Sequence, residues 1–145
     1  MEEQQIPQTL QNFYISFGGW MKYQYKNIRS EEGLTLAQFQ ALFIIHRFGL
    51  CNMSNLSETI EVSKGTMTCM LNKLVEDGYV ERSSSAKDRR NVYVSLTQAG
   101  EKKVKQIKNK LLVTIDEKVR NLDESMQKEI QGVLEILMNI FQEKK

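Results

Sequence analysis

The sequence predicts a mainly α fold with one small antiparallel hairpin, and three observations lead there. Two short segments between Ser54 and Glu76 repeat apolar residues at helical spacing on either side of the bend Glu61-Val62. Two strand-length runs, Tyr79–Arg82 and Asn91–Leu96, then alternate apolar and polar residues around a charged loop. Long amphipathic stripes precede and follow this middle third. Helix, turn, helix and hairpin in that order describe an α+β winged helix, a winged helix-turn-helix DNA-binding lobe flanked by N- and C-terminal dimerisation helices.

The first short helix, Ser54–Ile60, places Leu56 and Ile60 on one face. Ser63 follows as a helix cap, its hydroxyl suited to accept from a first-turn amide, and Met67, Met70, Leu71 and Leu74 form one buried stripe that Asp77-Gly78 ends. The opposite face carries Lys64, Gly65, Thr66, Thr68, Asn72 and Lys73, small or hydrogen-bonding side chains that, with Ser63, suit a major groove. In the hairpin, Val92, Val94 and Leu96 share a face. Its loop, residues 83–90, has no apolar residue larger than alanine and gathers Lys87, Arg89 and Arg90 around Asp88, a tip aimed at phosphates or a minor groove.

In the flanks, Leu10, Phe13, Tyr14, Phe17, Trp20, Met21, Tyr25 and Ile28 define a first helix with an aromatic stripe. Thr35 and Gln38 have capping-box spacing, and Leu36, Phe39, Leu42, Phe43 and Ile45 follow before Gly49 closes a second helix. Thr97 can cap a long helix through Val104, Ile107, Leu111, Ile115 and Val119; a last one starts near Asp123 and carries Met126, Ile130, Val133, Leu134, Leu137, Ile140 and Phe141. Neither end has enough neighbouring chain to cover such stripes, so a two-fold homodimer is expected. The expected organisation is residues 1–33 as an N-terminal dimerisation helix, 34–97 as the DNA-binding lobe and 98–145 as C-terminal dimerisation helices.

At 145 residues the chain is one domain-sized unit with a net charge of +2. Its charge is uneven: from Gly78 to Lys110 nine basic residues stand against three acidic ones, a local basic surface on a nearly neutral chain. The polar, acidic start Met1–Gln5 does not read as a secretory leader, and no apolar run approaches the ~20 residues of a membrane span. These point to a cytoplasmic, nucleoid-associated protein with no membrane partner. One histidine and two cysteines argue against a metal site; no cofactor is expected, and no phosphate-binding Gly-rich loop or nucleophile-base-acid set suggests an enzyme.

The run Asp88-x-Arg90-x-x-x-Val94-x-Leu96-Thr97, preceded by Leu74-x-x-x-Gly78-Tyr79-Val80-x-Arg82, resembles the multiple-antibiotic-resistance regulator (MarR) family of winged helix-turn-helix transcription factors. Leu34-Thr35-x-x-Gln38 extends the resemblance, which covers nearly the whole chain. Two positions depart from general helix-turn-helix patterns: Ser57 stands where Ala is favoured, and Glu61 where the turn favours Gly. The resemblance implies a dimeric regulator on a pseudo-palindromic double-stranded DNA operator, a repressor released by a small effector. It also implies that Asp88 positions an arginine at the wing; Arg90 has the matched place, which leaves Arg89 or Lys87 to reach the backbone. Effectors of the family bind between dimer helices and DNA-binding lobe, where Phe13, Phe17, Trp20 and Met21 could meet Phe39 and Phe43 to hold an aromatic or amphipathic molecule.

Plainer readings stand beside these. The aromatic stripe also suits core or dimer interface, the lysines from Lys102 to Lys110 a solvated helix face, and His46 a hydrogen bond at a helix end. Cys51 and Cys69 could make a redox-sensing regulator, although the family's sensors carry their cysteine on the first helix and this chain has none there. A winged helix used only for protein-protein assembly is the other alternative, and it has no need of basic residues at the wing tip.

Overall fold

The computed structural model describes residues 5–84, 87 and 90–142. Among the described residues, six helices and three short strands follow in the order α1 (Gln5–Glu31), α2 (Leu36–Phe48), β1 (Cys51–Asn52), α3 (Met53–Ile60), α4 (Lys64–Glu76), β2 (Val80–Ser84), β3 (Val92–Leu96), α5 (Gln98–Val119) and α6 (Glu124–Ile140). The winged helix expected from the sequence is therefore present. The chain forms two compact units, one reaching to Leu111 and the other starting at Leu112, with the division inside α5.

Local chemistry sets the helix ends. Thr35 and Gln38 close a reciprocal capping box at α2, and Gly49 ends that helix at a φ of 79°. Ser63 caps α4 by accepting from the Thr66 amide at 3.1 Å, and Asp123 caps α6 through the Met126 amide at 2.8 Å. Thr97 accepts from the Gly100 amide at 3.0 Å and so starts α5.

The first unit's core is the set of stripes brought together: Leu42 and Ile45 of α2, Leu56 of α3, Met67, Leu71 and Leu74 of α4, Val80 and Val94 of the sheet, and Val104 and Ile107 of α5 are essentially inaccessible. Leu36, expected in the α2 stripe, is exposed because it opens the helix on the outer side of the cap. Strand β3 is central, with β1 and β2 antiparallel on its two sides. Cys51 pairs with Val94 and Val80 with Leu96. Strand β1 escapes sequence reading because two residues cannot display an alternation. Strand β2 starts one residue later than the pattern suggests, since the Tyr79 amide bonds back to the Leu74 carbonyl at 3.0 Å and completes the end of α4.

Both helix-turn-helix departures have local explanations. Ser57 is buried at 3% exposure, and its hydroxyl donates to the Ser54 carbonyl at 2.9 Å, so a side chain little larger than alanine is accommodated with its polar atom satisfied. Glu61 occupies the turn with φ 61° and ψ 43°, the only described non-glycine residue with positive φ.

The segments that bracket the lobe are tied electrostatically. Lys103 of α5 pairs with Glu32 just past α1, and Lys110 reaches Glu32 at 2.7 Å and Glu31 at 3.3 Å. Hydrogen bonding from Lys103, then from Lys110, holds the Glu32 carboxyl below its ordinary 4.5 against the opposing effect of burial. Hydrogen bonding to Glu32 is also the largest influence raising both lysines above 10.5.

Two outcomes follow. Glu61→Gly relieves the left-handed strain and should raise unfolding free energy by about 0.5–1 kcal/mol after the added flexibility of the unfolded chain is subtracted, measured by urea denaturation. Because Glu32 titrates lower when folded, its contribution is complete above pH 4.5 and is lost as pH falls through the depressed value. The gap in urea midpoint between wild type and Glu32→Gln should therefore stay constant from about pH 6 to 9 and close in acid.

Candidate nucleic-acid interface

Helix α4 presents a buried side and an exposed side. Met67, Met70, Leu71 and Leu74 face the core, while Ser63, Lys64, Gly65, Thr66, Thr68, Asn72 and Lys73 are all exposed. Lys64, Thr68 and Asn72 are four residues apart and so share one outward face. Several of these groups are partly committed to the helix. The Ser63 hydroxyl donates to Thr66 Oγ1 at 2.9 Å while accepting from the Thr66 amide, and Thr68 donates to the Lys64 carbonyl at 2.8 Å. Thr68 therefore faces outward as an acceptor only, whereas Thr66 keeps its own hydroxyl proton. Lys73 forms an exposed pair with Asp77 at 3.5 Å, which directs it along the helix.

The wing base meets the start of α4. A cleft of about 260 Å³ lies between them, lined in part by Asn52 and Ser54 of the α3 start, Lys64 and Thr68 of α4, and Arg90 and Asn91 leading into β3. Arg90 is thus brought to the same surface as Lys64, although the two are far apart in sequence. Lys87 is exposed. Asp88 and Arg89 lie outside the described residues, and with them the expected Asp88–Arg90 contact.

The remaining expected site residues divide. Phe13 stacks on Phe17 with ring centroids 5.2 Å apart, and Phe17 on Trp20 at 6.2 Å, as a ladder along α1. Phe13 and Phe17 stay substantially exposed and Met21 is half-buried. Phe39 and Phe43 of α2 are 4.7 Å apart and receive Tyr25 of α1, whose pKa is raised by burial. Lys22 and Lys26 face outward. The cation that does approach the aromatic group is Lys108 of α5, with Nζ 5.9 Å from the Phe43 ring centre. Its distance in sequence hid it, since nothing in the residues around Lys108 names the helix it packs on. A second cleft of about 300 Å³ is lined by Ile44, Phe48, Leu50, Cys51 and Leu56, among others.

The two cysteines differ sharply. Cys51 is buried in β1, and burial raises its thiol pKa; Cys69 is exposed on α4. Among the described residues no group of histidine, cysteine and carboxylate side chains could hold a metal ion, and no helix is long and apolar enough to cross a membrane.

The profile of the MarR family matches residues 34–92, from the start of α2 to the wing. The HTH-type transcriptional regulator SarZ of Staphylococcus epidermidis is 34% identical over 127 residues, which cover 88% of this chain and 82% of that protein. The chain belongs to the MarR family. SarZ of Staphylococcus aureus is similar at 33% over the same share. Among solved structures, the transcriptional regulator Tm0710 from Thermotoga maritima superposes with a TM-score of 0.86 at 24% identity, covering 93% of this chain and 95% of that one, and supports the fold. Wild-type MarR from E. coli, in its apo form, aligns at 25% identity and a TM-score of 0.71, over 89% and 96% of the two chains. Members of the MarR family regulate transcription and are not enzymes, so the exposed face of α4 and the wing belong to a DNA-binding transcriptional regulator.

Proposed function

We propose that this MarR-family protein acts as a cytoplasmic homodimeric repressor that places two copies of α4 in successive major grooves of a pseudo-palindromic operator. The observation that carries the dimer is α6. It is 17 residues long and buries none of them, while Met126, Ile130, Val133, Leu134 and Ile136 stand exposed. An amphipathic helix with an uncovered apolar face calls for a partner surface, and α1 offers another in Phe13, Tyr14 and Phe17. Pairing about a two-fold axis supplies both at once and sets half-sites about one helical turn apart, ~10 bp. A solved structure of a mutant S. aureus MepR is bound to an oligodeoxyribonucleotide; its 17% identity and TM-score of 0.70 extend the fold comparison to a DNA-bound protein.

Lys64, Thr66, Thr68 and Asn72 are the groups for bases and nearby phosphates, with Lys73, Gly65 and Ser63 shaping the same face. At the wing, Asp88 holds Arg90, and Arg89 or Lys87 reaches the backbone or minor groove. For release, an aromatic or amphipathic effector would meet Phe13, Phe17, Trp20 and Met21 of α1 and Phe39 and Phe43 of α2, with Lys108 beside Phe43 as an ionic anchor. A cysteine-based control would have to run through exposed Cys69, since Cys51 is sheltered and its thiolate disfavoured.

Size-exclusion chromatography with light scattering should give a dimer, and a monomer at working concentration would overturn the pairing. Asn72→Ala should change which duplexes are preferred more than how salt affects binding. Arg90→Ala should weaken binding by about 1–3 kcal/mol and flatten the salt dependence in gel-shift titrations. Quenching of Trp20 fluorescence alongside operator release tests candidate phenolic and fatty acyl effectors, and indifference to every one would remove the effector step.

A further inference from the structure

Lys103 occupies the joint between α1 and the recognition helix. Its ammonium pairs with Glu32, one residue past α1, and sits 5.5 Å from the ring centre of Tyr79, three residues past α4. The pair is half-buried: the side chains of Lys103 and Glu32 are 15% and 12% exposed, against 60% and 37% for Lys73–Asp77. Tyr79 is itself tied to α4, because its amide donates to the Leu74 carbonyl and the Gly78 amide to the Val75 carbonyl. Its carbonyl in turn accepts from the Thr97 amide at 3.0 Å, at the head of the helix that carries Lys103.

We infer that Lys103 is a positioning residue for DNA recognition, holding the end of α1 and the end of α4 at a set angle through Glu32 on one side and Tyr79 on the other. A sheltered ion pair resists displacement more than an exposed one, because separating it leaves two charges poorly solvated. Lys103 also touches both neighbours, so a shift of α1 reaches Tyr79 without crossing loose loops. Lys110 provides the contrast. It binds the same carboxylate from the exposed side, while the cation over Tyr79 is Lys103.

The inference rests on the reading that α1 contributes to a dimer and that α4 enters the groove. In such a dimer the angle between them sets the separation of the two recognition helices, so its signature is discrimination between operators of different half-site spacing. Inserting or deleting one base pair moves a half-site by about 3.4 Å and roughly 35°.

The experiment compares the full-length wild type with Lys103→Met, Glu32→Gln, Lys110→Met and Lys103→Arg on a duplex that the wild type selects from a randomised pool and on versions with one base pair added to or removed from its centre. The ratio of affinities is read rather than the affinity, because a variant that merely unfolds in part loses the same active fraction on every duplex. Wild type should prefer its own spacing by about tenfold or more. Lys103→Met and Glu32→Gln should compress the ratio to within about threefold, while Lys103→Arg restores much of it and Lys110→Met leaves it near wild type. Glu32→Gln also keeps the test open where Lys103→Met does not fold.

An unchanged ratio in both Lys103→Met and Glu32→Gln would overturn the assignment. So would an equal loss in Lys110→Met, which would show that charge near α1 matters and the Tyr79 link does not. A wild type indifferent to spacing, or an Asn72→Ala protein with unaltered preference, would instead overturn the underlying reading of dimer and groove.

Discussion

Gly100 has no room for a side chain: a Cβ there would collide with the carbonyl of Tyr79, and Leu96 closes the other side. Around that contact the lobe is assembled. The Thr97 amide bonds the same carbonyl, and the Thr97 hydroxyl donates to the carbonyl of Gly78 while accepting from the Gly100 amide. Two backbone carbonyls just past α4 are thereby joined to the head of α5. Helix α4 is thus fixed at its C-terminal end, while the Ser63 cap and Met67 in the core hold its first turns. In the proposed complex, a helix that reads base edges with its first turns depends on such a mount at both ends.

Charge distribution supports the same division. The basic excess between Gly78 and Lys110 looks in sequence like a single patch, but part of it is spent inside the lobe. Lys103 and Lys110 neutralise Glu31 and Glu32 and Lys108 lies on Phe43, while among the acids Glu101 is bonded to His46 at 2.8 Å. Lys64 and Arg90, by contrast, line the cleft between α4 and the wing, and Lys87 is exposed in the wing loop. A compact cationic site steers a duplex toward one face, where a positive field spread around the molecule would bind nucleic acid in many orientations.

The residues that act locally were legible in the sequence. Ser63, Thr35, Thr97 and Asp123 cap the helices that follow them, and Met67, Met70, Leu71 and Leu74 face the core, because caps and stripes are written within a few neighbouring positions. Residues that act across distance were not. Lys103 was one lysine in a basic run until α1 placed Glu32 beside it, and Gly100 carried no sign of the carbonyl it must avoid. Strand β1 has no alternation to read, and its two residues are strand only because β3 offers Val94 and Tyr93 as partners. Glu61 is intermediate: a pattern that favours glycine identifies the position as unusual, and the left-handed backbone supplies the reason.

The apolar surface on the outer helices has an energetic consequence. In proteins most helical stability comes from packing of an amphipathic face, and α6, 17 residues long, buries no residue that would supply it. In the proposed dimer its folding is therefore part of association, so helix content and DNA affinity should depend on concentration together. The first unit differs, having its own closed core from Leu42 to Ile107. In that dimer the terminal helices would complete their packing in a partner, which makes affinity for a two-fold operator a property of the pair. A single protomer would hold a half-site through Lys64, Asn72 and Arg90 alone, and would lose the gain in effective concentration that joining two such weak contacts provides.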